Sequence, residues 1–174
     1  MPDYVTGKTF VVFDFETTGL DTQNDTPIEL GALKVVDGVF TEKFSTLINP
    51  QRSISKEITK LTHICDADVA NAPKFNEIVG DFYKFTRGAI LVGHNVEFDL
   101  GFLKRLGQEN SYNFYDNETL DTYALARKYI HSVNYKLETV AQYFNIKEIG
   151  YHRAFNDVFV TAKVLLKLAE FIEK

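Results

Sequence analysis

Residues 11–20, VVFDFETTGL, contain the feature that most restricts the fold of this chain. Phe10, Val11, Val12 and Phe13 are apolar without alternation, the composition of a strand covered on both faces. Such a strand belongs inside a sheet with layers on either side. The run then breaks into two acids, Asp14 and Glu16, one residue apart. Residues two apart on a strand share a face, so both carboxylates emerge on one side. Two like charges beside a core are costly unless a cation sits between them. The plainer alternative is a pair of polar residues at a strand end, turned to solvent.

The elements that follow suggest what surrounds that strand, expected over about Lys8–Phe15. IELGALKVVDGVFTEKFSTLINP reads as two more strands joined at Asp37-Gly38, a dipeptide typical of hairpin turns. SISKEITKLTHI reads as a short helix capped by Ser53 or Ser55, and PKFNEIVGDFYKFT as a longer one with Pro73 at its start. AILVG is a short buried strand. A helix from about Asn95 carries Phe98, Phe102, Leu103 and Leu106 on one side. NETLDTYALARKYI and KLETVAQYFNI show apolar residues at helical spacing, and a last helix runs from about Ala154 to the end. The order predicts an α/β fold, a mixed sheet flanked by helices, in one domain over residues 1–174. A chain of 174 residues is long enough for one full core.

Composition narrows the class further. The net charge of −5 argues against wholesale coating of a duplex, which depends on many phosphate contacts, but leaves room for gripping a strand end. The single cysteine, Cys65, cannot form an internal disulfide. The start MPDYVTGK lacks the apolar core of a signal peptide and no segment approaches membrane-spanning length. A soluble, cytoplasmic protein is expected.

Two further acids stand where helices begin. Asp99, in GHNVEFDLGFL, follows a buried strand, and Asp157, in YHRAFNDVFVT, opens the last helix. Either could simply complement a positive helix N-terminus. His152 lies five residues before Asp157, roughly 140° around an ideal helix. The two converge only if His152 sits in the lead-in before the helix, as Gly150 permits. A histidine held beside carboxylates is placed to accept a proton near neutral pH, whereas a lone one is more often a surface residue near a cap.

FDFETTGL, HNVEFDLGFL and HRAFNDVFVT together resemble the three motifs of the DEDDh (DnaQ-like) 3′–5′ exonucleases, the family of the epsilon-type proofreading exonuclease of bacterial DNA polymerase III. The sister DEDDy branch carries tyrosine four residues before the last aspartate; that position here is Arg153, and histidine stands five before. The resemblance implies a ribonuclease H-like fold and four carboxylates, Asp14, Glu16, Asp99 and Asp157, holding two divalent metal ions, Mg²⁺ or Mn²⁺. Asp14 would bridge the ions. In such a two-metal site one ion activates the attacking water and the other stabilises the leaving 3′ oxygen. His152 would be the general base, and nucleoside 5′-monophosphates would leave from a 3′ end. Thr17, Thr18, Gly19 and Leu20 match the segment that holds the terminal nucleotide, with Leu20 wedged against the last bases. Their plain alternatives are a turn glycine and a core leucine. His94 and Asn95 match the pair before the second acid and would support the site or the phosphates, with helix capping as the alternative for Asn95.

The substrate implied is the 3′ end of single-stranded or frayed nucleic acid, DNA favoured over RNA, with a possible polymerase or helicase association. An RNA 3′-exonuclease on the same scaffold is the alternative among enzymes. A non-catalytic binding module is the alternative outside them, and it would be expected to have lost one of the five site residues. Lys8, Lys136 and Arg153 are candidate phosphate contacts by sequence proximity. His63 departs from the family pattern, which commonly carries glycine after the threonine of LTHI. The extension by which epsilon-type subunits hold the polymerase is not seen after the last helix, so incorporation by that route is not expected.

Overall fold

The computed structural model describes residues 4–147 and 152–173. Its framework is one five-stranded sheet in the order β3-β2-β1-β4-β5. The strands are β1 (Thr9–Thr17), β2 (Pro27–Val36), β3 (Val39–Leu47), β4 (Ile90–Gly93) and β5 (Thr119–Asp121). β2 runs antiparallel to β1 and β3, while β4 lies parallel to β1 and to β5. The helices are α1 (Lys56–Thr62), α2 (Asp66–Val69), α3 (Phe75–Thr86), α4 (Val96–Glu109), α5 (Thr122–Tyr129), α6 (Leu137–Tyr143) and α7 (Ala154–Ile172). This is the mixed, helix-flanked sheet expected from the order of elements. Among the described residues, no helix is long and apolar enough to cross a membrane.

The unbroken apolar run is explained by β1 lying at the centre of the sheet. Val11, Phe13 and Phe15 point to a core shared with Phe75, Val79 and Phe82 of α3 and Leu100 and Leu103 of α4. Phe10 and Val12 point the other way, to Val158, Ala162, Leu165 and Ala169 of α7. Another face of α7, with Val160, Val164 and Leu168, packs on α5 and α6 through Ala126, Val140 and Ala141. Each fully buried side chain of this size contributes roughly 1.5–3 kcal/mol. Asp14 and Glu16 continue the even-numbered series of β1, so the strand directs both toward α7.

Two local readings change. The segment NETLDTYALARKYI, read as one helix, begins as strand β5, because its backbone pairs with the free edge of β4 through Leu91 and Val92. Asp121 then ends that strand and caps α5, accepting a hydrogen bond from the Tyr123 N–H at 2.9 Å. The helix α2 was not anticipated; α1, capped by Ser55, stops at His63, which adopts a left-handed conformation with φ 59°. Glycine suits such a C-terminal position better than any residue with a Cβ. His63→Gly is therefore expected to raise stability by about 0.5–1 kcal/mol, read as an increase in the urea midpoint at unchanged slope.

Candidate active site

β1 outruns its parallel neighbour: the pairing with β4 ends at Val12 opposite Val92. Beyond that point the chain carries Asp14 and Glu16, and the opened edge is filled from α4. Asp99, only 4% exposed, uses Oδ1 to accept the Phe15 N–H at 2.9 Å. α7 crosses the other face and brings Asp157. Asp14, Glu16 and Asp157 each offer a carboxylate oxygen, and these atoms lie within 4.8 Å of one another. Asp99 is outside that trio; it lies close enough to Asp14 and Glu16 for its charge to raise both their pKa values.

His152 occupies the lead-in to α7, as its distance from Asp157 required, while Gly150 lies outside the described residues. Its backbone is left-handed, φ 64°, and its N–H donates to Asp157 Oδ2 at 3.0 Å. Asp14, His94, Lys136, Leu137, Glu138, His152 and Asp157 line one open cleft of about 430 Å³. Asp157 thus holds the lead-in with one oxygen. Its other oxygen, Oδ1, is buried and accepts no hydrogen bond from the described residues.

Burial is the main cause of a common shift in these acids. It holds Asp14 well above the ordinary carboxylate range, reinforced by Asp99, Glu16, Asp157 and Glu29. Burial likewise raises Glu16 to about 8, Asp99 to about 7 and Asp157 to about 6. The folded, metal-free protein therefore binds more protons than the unfolded chain between about pH 4 and 8, so its stability falls as pH rises through that window and then levels. The melting temperature without metal is expected to decline from about pH 5 to 8, and Mn²⁺, which takes carboxylates deprotonated, is expected to erase the decline. A flat metal-free profile would contradict this electrostatic picture.

The substrate residues expected from the sequence divide into several groups. Leu20 is 83% exposed, so it is not a core leucine. Thr17 and Thr18 are engaged within their own loop, Thr17 Oγ1 donating to the Gly19 carbonyl and Thr18 Oγ1 to Asp25 Oδ1. Gly19 faces that same carboxylate: an added Cβ would lie 2.3 Å from Asp25 Oδ2, so the Asp25 side chain would have to shift. His94 is largely buried and braces the cleft. Its Nε2 donates to the Tyr135 carbonyl at 2.7 Å, and Nδ1 is 2.9 Å from Thr122 Oγ1. Asn95 precedes α4 in a left-handed conformation, makes no side-chain cap, and donates its N–H to Asp121 Oδ1.

Of the three candidate phosphate contacts, Lys136 alone lines the cleft. Lys8 lies over the Tyr4 ring, before the start of β1 and about 20 Å along the strand from Asp14. Arg153 is taken by Glu29, as a salt bridge of 2.7 Å. Glu29 was not anticipated. A single acid in an apolar strand reads as a solvent-facing position unless its partner, far away in sequence, is known.

Comparison with known proteins agrees with this arrangement. The Exonuclease family model of the RNase T type matches residues 11–165. The chain belongs to the exonuclease family. It is a nuclease of DnaQ-like, ribonuclease H-like fold, related in sequence to PolC-type DNA polymerase III and to the DNA polymerase III epsilon subunit. It is 41% identical over 166 residues to a PolC-type DNA polymerase III of Caldanaerobacter subterraneus, covering 95% of this chain and 12% of that polymerase. It is 37% identical over 171 residues to the DNA polymerase III epsilon subunit of Aquifex aeolicus, covering 98% of this chain and 85% of that subunit. Among solved structures, exonuclease X in complex with 5′-overhanging duplex DNA superposes with a TM-score of 0.76 at 23% identity, covering 92% and 91% of the two chains. E. coli exonuclease I in complex with a dT13 oligonucleotide gives 0.77 at 20% identity, covering 92% of this chain and 41% of that one.

Proposed function

We propose that this exonuclease removes nucleotides from the 3′ end of single-stranded or frayed DNA in a metal-dependent reaction, releasing nucleoside 5′-monophosphates. The observation that carries the reading is the convergence of Asp14, Glu16 and Asp157 within 4.8 Å, beside buried Asp99 and under His152. The donor set fits a hard cation: it is all oxygen, burial disfavours its charge, and Asp157 Oδ1 has no partner among the described residues. Asp14, Glu16, Asp99 and Asp157 would hold two divalent ions, Mg²⁺ or Mn²⁺. When bound, the ions supply water activation and stabilisation of the charge developing at phosphorus and at the leaving oxygen.

The chain's own groups do the rest. His152 accepts the proton of the attacking water. The water oxygen bonds to phosphorus as the bond to the 3′ oxygen breaks, so the phosphate departs on the 5′ carbon of the terminal nucleoside. The shortened strand keeps a 3′-hydroxyl. Leu20 stands clear of its loop to meet the last bases, and Thr17, Thr18 and Gly19 shape the loop that presents it. His94 and Asn95 fix the far wall, where Lys136 faces the phosphates.

DNA is favoured over RNA because the solved neighbours include complexes with DNA and the relatives are replicative. The same relatives support a reading in which it works in association with a DNA polymerase, in the cytoplasm. An exonuclease domain over residues 1–174 is part of this reading. The test is a gel assay on 5′-labelled DNA and RNA oligomers of one sequence, with Mn²⁺, Mg²⁺ or EDTA. A metal-dependent ladder shortening from the 3′ end, faster on DNA, is expected. A faster ladder on RNA would reverse the substrate assignment, and no shortening with either metal would overturn the activity.

A further inference from the structure

Glu29 lies on β2 directly opposite Glu16 of β1 and is 4% exposed. Both its oxygens are committed to the start of α7. Arg153 Nη2 donates at 2.7 Å and Nε at 3.1 and 3.2 Å, while the Ala154 N–H donates to Oε2 at 2.9 Å. Arg153, at the N-cap, makes no side-chain cap of its own. The first amide of the helix therefore takes its acceptor from a strand, not from the residue before it. Gly31, two residues further along the same face, completes the seat. A Cβ there would lie 2.6 Å from backbone atoms of Ala154 and Phe155. His152 stands immediately outside this seat and Asp157 one turn inside it.

We propose that Glu29 and Arg153 form a latch that seats the first turn of α7 on β2, and so positions Asp157 and the His152 lead-in over Asp14 and Glu16. Both are positioning residues. The latch gives its meaning to the function proposed above and rests on it. It also accounts for a guanidinium placed beside an acidic centre without neutralising it: the planar fork is spent on Glu29 in a two-pronged pairing.

Three explanations of Arg153 predict different results. A pure field effect makes Arg153→Gln bind Mn²⁺ more tightly, because a nearby positive charge is gone. A phosphate contact raises KM with kcat preserved. The latch weakens Mn²⁺ binding about 10-fold and lowers kcat about 10-fold, with KM held within about twofold, as loss of a support behind metal ligands does. Mn²⁺ affinity is measured by calorimetry on the full chain, and kcat and KM on a 5′-labelled DNA oligomer.

Because Arg153→Gln leaves Glu29 buried and unpaired, the double variant Glu29→Gln/Arg153→Gln accompanies it. Its melting temperature is compared without metal. The double variant is expected to show the same losses, and Arg153→Lys, which keeps the charge but not the fork, to recover part of them. Tighter Mn²⁺ binding in Arg153→Gln, wild-type Mn²⁺ affinity in the double variant or in Arg153→Gln, or a rise in KM alone would each overturn the latch. Should the wild type cut no oligomer, the proposed function fails, while Mn²⁺ calorimetry on the same variants still decides the latch.

Discussion

Asp14→Asn is expected to lower exonuclease activity at least about a thousandfold while raising the melting temperature of the metal-free protein. The two effects have one origin. Asp14 is half-buried in the wall of the cleft, and its carboxyl is pushed well above the ordinary range by burial and by four neighbouring acids, Asp99, Glu16, Asp157 and Glu29, so its charge is a liability to the fold. An amide of the same shape removes that liability. It also removes a carboxylate proposed to hold the cations, whose contribution to the transition state is several kcal/mol, and each 1.36 kcal/mol is about tenfold in rate. Steady-state rates with saturating Mn²⁺, beside thermal melts with and without metal, check both halves. The variant should also lose most of the Mn²⁺-induced rise in melting temperature seen for wild type. Retained activity would remove Asp14 from the centre, and a lower metal-free melting temperature would remove the repulsion argument.

His152→Ala should behave differently. Proton transfer by a positioned side chain contributes about 10²–10⁴-fold, so kcat falls by that range. The imidazole is not among the converging oxygens, so Mn²⁺ affinity and the melting temperature should stay near wild type. The backbone N–H of His152, which donates to Asp157, survives the substitution. A fall in rate matched by a loss of metal affinity would make His152 a ligand or a support, not the base.

Much of this was legible because the deciding features were local. The non-alternating run Phe10–Phe13 requires a strand with cores on both sides, and Val11 and Val12 do point to different helices. The spacing of Asp14 and Glu16 fixed their common face. The distance from His152 to Asp157 put the histidine ahead of its helix, where it is found. What escaped depended on partners distant in sequence. Thr119–Asp121 becomes a strand only because β4 offers a free edge, and three residues carry no periodicity. Glu29 looks like any strand acid until Arg153 arrives from 124 residues away. The hydroxyl of Thr18 bonds Asp25 across its loop, which no local pattern announces.

The placement of α7 has a consequence for how such a chain is made. The cluster draws on the first strand and the last helix, and α7 is also what closes two of the hydrophobic cores. During synthesis Asp14 and Glu16 emerge well before Asp157, their third partner. On the proposed mechanism a copy in which α7 has not docked has no cutting centre, so the docking that closes these two cores also arms the site.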